Sequence, residues 1–355
     1  MLLTQRSTAL LLALACQSAA ALAQTNPALA DTRLVERFDQ MVAQMPPTEG
    51  LPPPERLRTE RSAGDVVVKR RLNVKVNFPG NVRGAMYGGY LDGEAAVFTR
   101  SGRSLDVTVI RDGDAEVMSF VAPADGPAAD ATIPPTPEPG GARLRRSVGP
   151  GHFEDPAAHH LHFHFMKHDD LSHRTAQDIH AHFVAWWLAD MALNVLPVET
   201  LSVTYEERVP WVTSMAYGEA GALPAFERAL KLLDDDFNFN LEGTYKNKFI
   251  LLTAQRPVPG AAGVAFEGGN EAIASISGRM RIIAHEIGHM LGATHLAAES
   301  RGWWGCETNM FAVASKQRRD CLEYTAANQR AIRSYMRHGP DMSVPRRMAD
   351  APMPE

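Results

Sequence analysis

The sequence predicts a mixed α/β (α+β) domain with a twisted sheet, preceded by a small β-rich domain. Three observations carry that expectation. Residues 65–121 alternate apolar and polar side chains, with turn signals between the runs. Residues 152–340 alternate strand-like and helix-like segments. Residues 285–295 read His-Glu-Ile-Gly-His-Met-Leu-Gly-Ala-Thr-His, with Ile283, Ile287, Met290 and Leu291 forming the apolar stripe of an anchored helix.

The chain has 355 residues, enough for two domains, and its 45% hydrophobic content suits a globular fold. A net charge of -5 gives no reason to expect a nucleic-acid partner. No apolar stretch beyond the N-terminus is long enough to span a membrane. The N-terminus itself reads as an export signal over residues 1–23: Arg6 supplies positive charge, Thr8 to Ala15 an apolar run, and Ala21-Leu22-Ala23 a small-x-small cleavage site that starts the mature chain near Gln24. Localisation is therefore expected to be secreted or periplasmic. Lipid attachment at Cys16 is the alternative, for which Ala13 is a poor match.

Residues 24–64 are polar and Pro-rich, with a short helix expected around Thr32 to Gln44. In the β-rich stretch, Val66, Val68, Leu72, Val74 and Val76 lie near period two, and Leu105 to Ile110 and Ala115 to Val121 repeat the pattern. Pro79-Gly80-Asn81, Gly88-Gly89, Asp92-Gly93 and Asp112-Gly113-Asp114 read as the turns between. Residues 122–151 are rich in Pro, Ala and Gly and read as a linker. Arg143, Arg145 and Arg146 within it offer a processing site that would make the β-rich part a propeptide; a solvated basic linker is the alternative.

From His152 the pattern changes. Leu161, Phe163 and Phe165 alternate with His162, His164 and Met166 as in a strand. Thr175 with Asp178 resembles a capping box opening a helix that carries Ile179, Phe183, Trp186, Trp187 and Met191, ended by Pro197. A strand over Leu201 to Tyr205, a helix over Pro224 to Leu233 and a buried strand over Lys248 to Thr253 follow, then a strand over Val264 to Phe266 before the helix of the histidine motif. A last helix starts at Thr325 and buries Ile332, Tyr335 and Met336, and residues 341–355 are expected to be a disordered tail.

On a helix, His285 and His289 project from one face and can share an ion. Glu286 stands beside the first ligand, within reach of a water on that ion. Gly292 allows a left-handed exit from the helix that returns His295 as a third ligand. Three protein ligands leave zinc a fourth position for water, the mark of a catalytic rather than a closed site. Removal of the leader leaves Cys306 and Cys321 as the only cysteines, an even number in an oxidising compartment. A bridge between them closes a loop of about 15 residues, worth roughly 3 kcal/mol; two unpaired thiols are the alternative.

Nine of the thirteen histidines lie between His152 and His182. His162 and His164, with His159, His160 or Asp169, suggest a second ion; neutral histidines on a part-exposed strand are the plainer reading. Trp186 and Trp187 read as packing residues rather than a ligand cage. Asp234-Asp235-Asp236 reads as a solvated helix end, with calcium binding as the alternative.

The run from His285 to His295 resembles the zinc-binding consensus of the metzincin metallopeptidases, and Cys306-Glu307-Thr308-Asn309-Met310 resembles their methionine turn. The likeness covers roughly residues 155–340, the helix from Thr325 matching the family's closing helix. It implies a metzincin-like domain with one Zn2+ on His285, His289 and His295, Glu286 as general base and Met310 beneath the ligands. The subfamily stays unassigned. Leu296 follows the third histidine where adamalysin-like members carry Asp, astacins Glu and matrixins Ser; Ala312 stands where astacins have a Tyr ligand, and no cysteine is available for a matrixin-type latch. Cys306 and the closing helix bring it nearest to the adamalysin-like members.

The expected function is therefore that of a secreted metalloendopeptidase acting on proteins or peptides as a monomer. Gly263, Val264, Ala265 and Phe266 are expected to form the cleft edge where an extended substrate adds as a strand, and Phe311 and Val313 a pocket wall. A zinc exopeptidase, a cell-wall amide hydrolase, or a non-catalytic adhesion protein with a vestigial site are the alternatives.

Overall fold

A computed structural model describes residues 27–45, 66–111, 113–122, 160–237, 245–302, 305–312, 317–343 and 346–349. Residues 1–26 with the expected leader and Cys16, the Pro-rich residues 46–64, the expected linker 123–151 with its three arginines, and Val313 lie outside the described residues.

The first part forms helix α1 (Pro27–Ala43) and strands β1 (Val67–Phe78), β2 (Val82–Leu91), β3 (Glu94–Ser101), β4 (Ser104–Arg111) and β5 (Asp114–Val121). Then follow β6 (His160–Lys167), α2 (Ala176–Ile179), α3 (Ala185–Asp190), β7 (Thr200–Glu207), α4 (Ala222–Phe237), β8 (Asn247–Thr253), β9 (Gly263–Phe266), β10 (Glu271–Ser275) and α5 (Ile282–Met290). Short strands β11 (Ser300–Arg301), β12 (Cys306–Glu307) and β13 (Arg319–Asp320), helix α6 (Ala326–His338) and β14 (Met348–Ala349) complete the chain. Thr175 caps α2 as its spacing predicts, its hydroxyl accepting from Asp178 N at 3.1 Å. Residues 176–195 form one continuous helical rod, with π turns at His180–Val184 and Met191–Val195, which stops before Pro197.

Eleven strands make a single mixed sheet in the order β14-β9-β10-β8-β6-β7-β1-β2-β3-β4-β5. The β-rich stretch continues the same sheet as the later part. Val74–Asn77 of β1 pairs in parallel with Leu201–Thr204 of β7, continuing the sheet of the later part. Leu72, Val74, Val76 and Phe78 face the same core as Phe163, Phe165, Leu201 and Trp187. His180 closes the join from within the core: its ring bonds Thr99 Oγ1 on β3 at 3.1 Å and Tyr205 OH on β7 at 3.0 Å. Alternation in β1 predicts a buried face but not which partner strand, more than a hundred residues away, shares it.

Several strands, β2, β3, β8, β9 and β10, escape the alternation rule. β3 is buried on both faces along most of its length, so apolar residues run together there. β10 is short and likewise buried after its first residue. Asp92-Gly93 makes the expected two-residue hairpin turn, both residues at positive φ (51° and 81°). Gly88-Gly89, expected as a turn, lies instead inside β2. A Cβ on Gly89 would fall 2.0 Å from Val67 O, beside a register shift in β1, so the glycine serves a close backbone approach.

One face of the sheet carries the rod 176–195 with α5 and α6, enclosing the largest core. On the other face α4 covers β8–β10, and α1 covers β2–β4 through Val35 and Phe38. Asp234–Asp236 lie within α4, which runs on to Phe237. Within the expected tail, Met348 and Ala349 pair with Phe266 and Ala265 as the outermost strand, and Ala349 is buried. Two residues are too few for any periodicity to announce a strand. No described helix is long and apolar enough to cross a membrane.

Candidate metal centre

The nine residues of α5 are buried except the first, so the helix is fixed on all sides. His285 and His289 leave it one turn apart, and the chain then exits through Gly292 at a φ of 80°. That turn returns His295. The three Nε2 atoms lie 3.2 Å (His285–His289), 2.9 Å (His289–His295) and 3.1 Å (His285–His295) apart. Tetrahedral zinc with nitrogens at 2.0–2.1 Å would hold its ligands about 3.3 Å apart, so the triangle fits one ion. Among the described residues, this is the group of three or more candidate ligands close enough to share a metal.

The backbone sets the tautomer of the first ligand. His285 Nδ1 lies 2.7 Å from Asn309 O, and a carbonyl only accepts, so Nδ1 carries the hydrogen and Nε2 presents a lone pair to the centre. Asn309 belongs to a turn in which Phe311 N bonds Thr308 O at 3.0 Å. Met310, next along, is fully buried against α5. A Cβ on Gly288 would fall 2.3 Å from Met310 Sδ, so this glycine lets the methionine come up beneath the ligands.

The turn is held from several sides. Cys306 in β12 and Cys321, just after β13, are disulfide-bonded, and β12 and β13 pair in parallel. Buried Arg281, just ahead of α5, bonds Glu307 at 3.1 Å and pairs with Asp320 at 3.3 Å, tying these strands to the metal-site helix. Tyr324 OH donates to Ala284 O inside α5, while Trp187 Nε1 donates to Tyr324 OH at 3.1 Å. Trp187 is thus a packing residue with a polar handle, not part of a ligand cage.

Glu286 is 2% exposed. Its carboxylate packs on Gly263 so tightly that a Cβ there would sit 2.3 Å from Oε1. Gly263, Arg281, His285, Glu286, Phe311 and Ala312 border a cleft of about 470 Å3. The other expected edge residues do not line it: Val264 and Phe266 pack against α4 and Ala265 in the larger core. The reason is that β9 has sheet on both sides and buried faces, which its short apolar sequence cannot reveal.

Asn328, Thr325 and Lys248 position the site through long-range contacts that their local sequence does not announce. Asn328, in the first turn of α6, brackets the peptide before His295, its Oδ1 accepting from Thr294 N at 2.9 Å and its Nδ2 donating to Thr294 O at 3.2 Å. Thr325 Oγ1 donates to Ala297 O at 2.8 Å, so the start of the closing helix clamps the third-ligand loop. Buried Lys248 donates within 2.6–3.2 Å of Gly269 O, Met290 O, Asn270 Oδ1 and Tyr335 OH, pinning the end of α5 to α6. Burial holds its pKa well below the usual lysine value.

Among the described residues, His160, His162 and His164 do not converge on a shared ion site. His160, His162 and His164 stack along β6 and bond Ser202 Oγ at 2.5 Å, Thr204 Oγ1 at 2.9 Å and Glu206 Oε1 at 2.8 Å across the strand boundary. His159 lies outside the described residues.

The fold is similar to that of metalloproteinase-II from Bacteroides fragilis, whose crystal structure matches with a TM-score of 0.48 and 16% identity over 77% of this chain and 86% of that one. No known protein family matches the sequence, and none of the curated proteins does.

Proposed function

We propose that the protein is an exported zinc-dependent endopeptidase. One observation carries the reading: three imidazole nitrogens meet at a point, one with its tautomer fixed by Asn309 O, beside a cleft lined by His285 and the buried carboxylate of Glu286. An all-imidazole donor set suits zinc better than the hard, oxygen-seeking cations. Bound there, zinc would supply Lewis acidity toward the scissile carbonyl and toward water.

The chain supplies the rest. His285, His289 and His295 hold the ion, and Met310 gives them an apolar floor. Glu286 takes a proton from the attacking water and passes it to the leaving amine. Gly263 keeps that carboxylate where it is, since any larger residue would displace it. The disulfide between Cys306 and Cys321 suits the oxidising compartment that an N-terminal leader implies.

Glu286→Gln is expected to lower hydrolysis of an internally quenched, end-blocked peptide by about 10²–10⁴-fold while metal content stays that of the parent. Undiminished hydrolysis in this variant removes Glu286 from its role. Hydrolysis confined to peptides with a free terminus would make the enzyme an exopeptidase.

A further inference from the structure

We propose that the C-terminal strand β14 limits how far a substrate reaches on the N-terminal side of its scissile bond; the inference rests on the endopeptidase reading above. β9 has two edges. One is taken by β10, with Ala272, Ile273 and Ala274 opposite Ala265, Val264 and Gly263. The other, which an incoming extended peptide would need, is taken at its far end by the chain itself: Met348 stands opposite Phe266 and Ala349 opposite Ala265.

This contact is anchored rather than incidental. Arg346 bonds Glu227 on α4 at 3.0 Å and also Glu271 at the start of β10. Its guanidinium lies over the ring of Phe266, 4.2 Å from the centroid. Arg347 O accepts from Glu267 N at 2.9 Å, and Ala349 is 5% exposed.

The register fixes what remains. Gly263 touches Glu286 and so marks the position of the chemistry along β9. Ala265 is two residues further, about 7 Å at strand spacing. Both neighbours of β9 pair antiparallel to it, and a peptide joining in that sense approaches Gly263 in its C-terminal direction. Its N-terminal arm then lies along Val264, Ala265 and Phe266. Ala349 and Met348 hold the places opposite Ala265 and Phe266. An arm paired along β9 therefore meets β14 by its third residue and must leave the strand path there.

The test is a series of N-acetylated peptides with a constant C-terminal arm and an N-terminal arm of increasing length. For the parent, kcat/KM rises to the second residue and is level beyond it. Arg346→Glu, which sets a carboxylate against Glu227 and Glu271, and a chain ending at Ser343 both extend the rise. The gain for a five-residue arm is roughly 10-fold, the worth of one or two backbone hydrogen bonds. Deuterium uptake over residues 262–276 increases in Arg346→Glu, whatever the activity of that variant. A parent profile that climbs through the fifth residue, or identical profiles and identical uptake in the variants, overturns the proposal. Absence of hydrolysis at every length, with the uptake change present, overturns the endopeptidase reading instead.

Discussion

His285, His289 and His295 bring three Nε2 atoms within 2.9–3.2 Å of one another, whereas His160, His162 and His164 stand side by side along β6 and turn to three different side chains of β7. The contrast is one of spacing. Residues two apart on a strand share a face but project in parallel, so each ring meets its own cross-strand partner and spends a nitrogen on it. Residues four apart on a helix, followed by a turn through Gly292, aim at one point. Histidine density attracts attention to the strand-borne group; among the described residues, geometry makes the helix-borne group the one able to hold an ion.

The largest effect that would sharpen this comparison lies in acid. Burial pushes His180 and His162 down to about 3 from an ordinary 6.5. Between those values the unfolded chain binds protons that the folded chain refuses, so stability is complete above about pH 6.5 and falls as pH drops toward 3. Each ring contributes about 1.4 kcal/mol per pH unit. Denaturant unfolding of metal-free protein at a series of pH values should show that slope, and His180→Gln should flatten it. An unchanged slope in the variant would mean that His180 titrates normally.

Next comes the floor of the metal centre. Gly288→Ala sets a Cβ against Met310 Sδ and should cost about 1–3 kcal/mol of stability, together with weaker metal retention under chelator. If Gly288→Ala behaves like the parent, Met310 does not support the ligands. Asn328→Leu leaves every ligand in place but frees the Thr294 peptide; competition with a chromogenic chelator should show zinc affinity about 10–100-fold lower. The smallest effect belongs to the stacked group. His162→Asn removes one half-buried hydrogen bond, costs about 1 kcal/mol, and leaves metal content and peptide hydrolysis unchanged.

Much of the centre was legible because its determinants are local. The spacing of His285, Glu286 and His289, the glycine at 292 and the cap at Thr325 act over a few residues, and helix geometry converts them directly into positions. Elements recorded only in long-range pairing were hidden. The union of β1 with β7 depends on partners far apart in sequence, and the pairing of β14 on β9 rests on Arg346 reaching Glu227, 119 residues away. Asn309 orients His285 through its backbone carbonyl, a contact that the identity of its side chain does not announce.

Zinc content per chain, measured after chelation and reconstitution of His289→Ala and His162→Ala side by side with the parent, tests the account most directly. The parent and His162→Ala should each hold one ion, and His289→Ala should hold none while keeping its fold by circular dichroism. Zinc retained by folded His289→Ala, or lost from His162→Ala, would contradict the assignment of the ion to the helix-borne histidines.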